Sequence, residues 1–104
     1  MTTYQLSPRV TLTPGDTIRV AGGPYYRLAD GSRVPLAARG LHRVVEVIHQ
    51  RSRVYLLAYG PGGYSMLHVA GRRRSRVAGL VCRPYRVRRI GGGQKKIRAA
   101  RKTD

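Results

Sequence analysis

The sequence predicts an all-β fold, a small barrel or sandwich. Three observations carry that prediction. Short runs of alternating or β-branched apolar residues recur along the chain; they are separated by Gly/Pro-rich turn signals; and no internal segment has the period of an amphipathic helix. The 104 residues suffice for one domain with a tail and leave no room for a second core.

Residues 1–12 read as an extended lead-in in which Pro8 discourages a helix. "TPGD" (13–16) is a turn: Pro14 presets one backbone angle, Gly15 permits positive φ, and Asp16 can bond back to the main chain. "TIRVA" (17–21) alternates, with Ile18 and Val20 on one face and Thr17 and Arg19 on the other, the mark of a half-buried strand. Residues 22–40 hold Gly, Pro and a "DG" signal and read as a long decorated loop. "LHRVVEVIHQ" (41–50) and "RVYLLAY" (53–59) are strands joined by a short turn, and "GPGG" (60–63) turns the chain into a return strand, "YSMLHVA" (64–70). "RVAGLVC" and "YRVRRI" are shorter strand-like pieces separated by Pro84, and "GGG" (91–93) is a hinge. The barrel is thus expected over residues 13–90. The basic tail, 91–104, is expected to be flexible and to order on contact with a partner. With no Phe or Trp, the core must come from Val, Leu, Ile and some of the seven tyrosines.

"PGDTIRVAGGPYYR" followed by "GLHRVVEVIHQRSRVYL" resembles the KOW arrangement of SH3-like barrels. The residues that carry the resemblance are Gly15, Asp16, Ile18, Val20, Gly23, Gly40, Val44, Val47, Val54 and Leu56, within residues 13–60. The resemblance implies an SH3-like barrel and contact with RNA or a ribonucleoprotein. The same stretch is similar to bacterial SH3-type modules that bind cell walls, through the "GD" turn, the tyrosines after the first strand and the Val34–Pro35 step.

Charge is the extreme feature. Lys+Arg number 21 against 4 Asp+Glu, a formal net charge of +17. Residues 1–70 carry eight arginines against Asp16, Asp30 and Glu46, a net +5; residues 71–104 carry thirteen basic residues against Asp104, a net +12. Such a field attracts phosphate-rich polymers, anionic membranes or acidic protein surfaces. No amphipathic helix with a sizeable apolar face is present in the sequence, so a membrane is not an expected partner. Eighteen of the cations are Arg, whose planar fork binds phosphate bidentately and stacks on bases. "GRRRSR" (71–76) places Arg72, Arg73, Arg74 and Arg76 on one loop. Arg83, Arg86, Arg88 and Arg89, with Lys95, Lys96, Arg98, Arg101 and Lys102, continue the basic set. Arg86 and Arg88 would share a face if their segment is a strand. Tyr25 and Tyr26 beside Arg27, and Tyr85 between Arg83 and Arg86, are candidates for stacking unpaired bases. Tyr55, Tyr59 and Tyr64 read as packing residues.

The case against catalysis is compositional. Asp16 and Asp30 belong to turns, Glu46 to a strand and Asp104 to the tail, so neither paired carboxylates nor a triad can be assembled. His42, His49 and His68 lack zinc-ligand spacing, and Cys82 alone in "AGLVC" reads as a buried, inert thiol; no metal or cofactor is expected. "IGGGQKK" lacks the spacing of a P-loop. The start of the chain has no signal-peptide core, and no run approaches membrane-spanning length, which makes the cytosol the expected compartment, with a virion as the alternative. The expectation is a non-catalytic binder of structured RNA or a ribonucleoprotein, with DNA less favoured. Its rivals are an assembly subunit docking on acidic protein neighbours and a module binding anionic wall polymers.

Overall fold

A computed structural model describes residues 2–36, 39–72 and 76–91. The fold is all-β: the described residues form ten strands and no helix. Five strands build the main sheet. In spatial order they are β10 (Arg86–Gly91), β3 (Thr17–Ala21), β6 (Gly40–Gln50), β7 (Arg53–Gly60) and β8 (Gly63–Ala70). Every pairing is antiparallel. At the far side the Tyr85 amide donates to the His68 carbonyl at 2.7 Å, so the segment entering β10 meets β8 and the sheet coils into a barrel-like form.

The local chemistry explains each element. In the 13–16 turn, Gly15 has φ 96°. The Asp16 amide donates to the Thr13 carbonyl at 3.2 Å, and an Asp16 carboxylate oxygen accepts the Thr13 amide at 2.9 Å. In β3 the alternation is realised, with Ile18 and Val20 buried and Arg19 exposed. Strand β6 bends at a bulge between Val44 and Glu46. The extra residue resets the alternation, so that His42 and Val44 before it and Val47 after it all point inward. Two tight turns then form the β6–β7–β8 meander. The first places Arg51 at φ 55°, and the second joins the paired residues Gly60 and Gly63.

The core is Leu12, Ile18, Val20, Val44, Leu56 and Leu67 at its centre, with Val47, Val54, Ala58, Val69 and Tyr85 around them. Tyr85 and Tyr25 are the buried tyrosines that supplement the aliphatic core. Gly23 is needed for this: it has φ 123°, and a Cβ there would enter the Tyr85 ring.

Three segments depart from the sequence-based expectation. The lead-in is a hairpin, β1 (Tyr4–Ser7) with β2 (Val10–Leu12). It delivers Leu12 to the core, with Tyr4, Leu6 and Val10 packed against it. Extended conformation was legible there, but the distance to its partner residues in sequence hid the docking. The expected loop at 22–40 contains a second hairpin, β4 (Tyr25–Arg27) with β5 (Arg33–Pro35). Its turn is held by Asp30, which accepts from the Ser32 amide at 2.9 Å. Strand β9 (Leu80–Val81) pairs with β4 to complete a three-stranded sheet, and only these two residues of "RVAGLVC" are strand. The third departure concerns Tyr59 and Tyr64. Expected to pack, they lie on the outer side of β7 and β8 at 52% and 69% exposure.

Candidate nucleic-acid interface

The outer face of the main sheet gathers cations and aromatic rings through strand register. In β10, Arg86 and Arg88 alternate with Val87 and Arg89, and the first pair is exposed. Val87 packs against the core, and Arg89, opposite Ile18, is half-buried. Arg88 lies directly opposite Arg19 of β3, and Arg19 opposite Leu41 of β6. The neighbouring row runs from Thr17 through Arg43 and Tyr59 to Tyr64. The two rings meet edge to face, with centroids 4.9 Å apart. Counted along the coiled sheet at about 4.8 Å per strand spacing, the path from β10 to β8 is about 19 Å. Like charges directly opposite across a strand pair destabilise a sheet. Arg19 and Arg88 sit in that arrangement, and the only carboxylate on β6 is Glu46, beyond the bulge.

The other expected contacts are dispersed. Arg72 and Arg76 are exposed on the segment after β8, and the Arg72 carbonyl accepts from Arg53 Nε at 3.0 Å. Arg73, Arg74, Lys95, Lys96, Arg98, Arg101 and Lys102 lie outside the described residues. Of the three proposed stacking rings, Tyr26 is 38% exposed, whereas Tyr25 and Tyr85 are buried. Their faces are already covered. Tyr85 lies over Gly23, and Tyr25 lies beneath the guanidinium groups of Arg33 and Arg83, at 4.7 and 5.0 Å from its centroid. The environment moves their phenol pKa values in opposite directions. The hydrogen bond from Arg27 is the main cause that lowers Tyr25, with the positive charges of Arg33, Arg27 and Arg83 adding to it against a smaller effect of burial; burial raises Tyr85.

Sequence reasoning missed Arg19, Arg43, Tyr59 and Tyr64 as a group. The signals were present one strand at a time. Arg19 is the polar member of "TIRVA", Arg43 alternates with His42 and Val44, and Tyr59 and Tyr64 flank "GPGG" symmetrically. Only the register between strands makes them neighbours.

Among the described residues no group of three or more His, Cys, Asp or Glu could hold a metal ion. His42 is buried, its Nδ1 3.1 Å from the Gly40 carbonyl, and His49 Nε2 reaches the Thr3 carbonyl at 2.6 Å. Cys82, expected to be buried, is half-buried on the wall of a cavity of about 360 Å³ that Pro24, Leu36, Met66 and Tyr85 also line. No helix among the described residues is long and apolar enough to cross a membrane. Compared with protein-family models, curated proteins and solved structures, the chain matches none.

Proposed function

We propose that this protein is a non-catalytic nucleic-acid-binding protein that engages structured RNA or a ribonucleoprotein. The observation that carries the reading is the outer sheet face on which Arg19, Arg43, Arg86 and Arg88 stand beside the exposed Tyr59–Tyr64 pair. Arginine forks take phosphate oxygens, and exposed rings offer a platform for unpaired bases. The basic stretch at 71–76 and the tail extend the cationic set in sequence, and the net +12 of residues 71–104 as a whole supplies long-range attraction. The strand order β10-β3-β6-β7-β8, with the β4–β5 hairpin between the first two consecutive strands of the sheet, supports reading the barrel as SH3-like. That agrees with the KOW-like residues of the 13–60 stretch.

The test is fluorescence anisotropy of the full chain on a labelled RNA hairpin with a single-stranded loop, across a salt series. Replacing Arg19, Arg43, Arg86 or Arg88 by Gln should each reduce the slope of log K against log salt by about one. Tyr59→Ala or Tyr64→Ala should weaken binding by about 1–3 kcal/mol with the slope unchanged. Unaltered binding by the fourfold Gln variant would refute the sheet face as the interface. Failure of the wild-type chain to bind RNA, with acidic proteins retained after nuclease treatment, would favour the assembly-subunit reading instead.

A further inference from the structure

A second cationic cluster is built on the β4–β5 hairpin. Tyr25 and Arg27 alternate along β4, and Arg33 is the cross-strand partner of Arg27, so all three share one face of the hairpin. Arg83 reaches the same ring from the segment between β9 and β10, with its Nε anchored on the Gly23 carbonyl at 2.8 Å. Two guanidinium groups thus lie within 5.0 Å of one ring centroid. A third, on Arg27, donates to the Tyr25 hydroxyl at 3.3 Å. Cation–π attraction accounts for holding a cation on the ring, but not for three of them around one phenol. The direct opposition of Arg27 and Arg33 is itself unfavourable.

No carboxylate offsets this cluster among the described residues. Asp30, the acid of the same hairpin, is turned onto Ser32, whose amide and hydroxyl donate to it at 2.9 and 2.6 Å. Asp16 is buried in its own turn, and Glu46 belongs to β6. The three arginines are nevertheless exposed, so an anion can reach them.

We infer that Arg27, Arg33 and Arg83, gathered around Tyr25, form a phosphate-binding site. A tetrahedral anion can accept from several forks at once, and it would cancel the repulsion that the fold leaves in place. Tyr25 acts as the plate on which two of the forks are oriented, so the donors are preorganised. The chemistry recognised is a phosphate group. Its presentation by a polynucleotide rests on the function proposed above, and its presentation as a free anion does not.

The test uses the full chain with isotope-labelled arginine side chains, followed by NMR at constant ionic strength. Inorganic phosphate is added first and an RNA oligonucleotide second. Saturable shifts of the Nε signals of Arg27, Arg33 and Arg83 with phosphate, while Arg9 and Arg51 stay still, are the expected result. Arg33→Gln, an exposed hairpin change that should leave the circular dichroism spectrum intact, should weaken phosphate binding about tenfold or more. Weak, non-saturating shifts spread evenly over all arginines would overturn the site. If RNA moves the same three signals, the phosphate comes from a nucleic-acid backbone. If inorganic phosphate saturates them while RNA moves no arginine signal anywhere in the chain, the site stands and the RNA reading falls. If RNA moves only Arg19, Arg43, Arg86 and Arg88, both stand and the cluster takes the free anion. If RNA binds elsewhere and phosphate leaves the cluster silent, the site falls and the RNA reading stands.

Discussion

Gly60 has no side chain because the ring of His42 occupies the place where one would be. His42 is buried and its ring is tied to the Gly40 carbonyl, so it has little freedom to give way. Gly60→Ala should therefore destabilise the fold by about 1–3 kcal/mol, the usual range for overpacking, as read from denaturant unfolding. Gly23→Ala combines a similar overlap with Tyr85 and a positive φ, and it should cost at least as much. The two buried tyrosines give a second test. Arg27, Arg33 and Arg83 favour the phenolate of Tyr25, whereas burial favours the neutral phenol of Tyr85. In an ultraviolet titration of the folded protein, Tyr25→Phe should remove an early-titrating phenol and Tyr85→Phe a late one. The same order for both variants would contradict the opposed environments. None of these pairings was visible in the sequence, where Gly60 reads only as a turn residue and Tyr25 and Tyr85 only as rings beside arginines.

At the scale of the strand, β3 and β10 carry opposed demands. Arg19 and Arg88 face each other across the pair, so replacing Arg88 with Gln should raise stability by about 0.2–1 kcal/mol while weakening RNA binding. A double-mutant cycle with Arg19→Gln measures the coupling directly; a stability loss in the single variant would mean that the pair is not repulsive. The β1–β2 hairpin makes a simpler demand. Leu12 is fully buried, and Leu12→Ala should cost about 2–5 kcal/mol in denaturant unfolding. Strands were the most legible feature of the sequence, because "TIRVA" and "YSMLHVA" show their period locally. The hairpins at 4–12 and 25–35 were harder to read. Their strands are only three or four residues long, too short for alternation to stand out, and the fold sets their docking. The candidate site was half legible for the same reason. Composition located the cations of the C-terminal third, but the cross-strand register that adds Arg19, Arg43, Tyr59 and Tyr64 is a tertiary property.

The whole molecule carries a net charge of +17, which opposes compactness and attracts polyanions. Added salt screens both effects, so rising ionic strength should increase Tm of the free protein while it weakens RNA binding. Deleting residues 92–104, with Lys95, Lys96, Arg98, Arg101 and Lys102 among them, should flatten the salt dependence by up to about one unit per cation lost. Tm should hold, since β10 is kept entire; a collapse in Tm would place the tail in the fold. The closure of the sheet has a consequence for the order of assembly. The β6–β7–β8 meander joins neighbours in the chain, but β10 must return to β3, the pairing with the greatest separation in sequence. Such pairings bear the largest loop-closure cost and form late. During synthesis, the strand bearing Arg86 and Arg88 leaves the ribosome after the four strands it joins in the sheet. The two halves of the arginine face therefore become adjacent only when the barrel shuts. On the proposed function, a ligand that spans β3 and β10 would clamp the last step of folding, and the proposed binding surface would form together with the closed barrel.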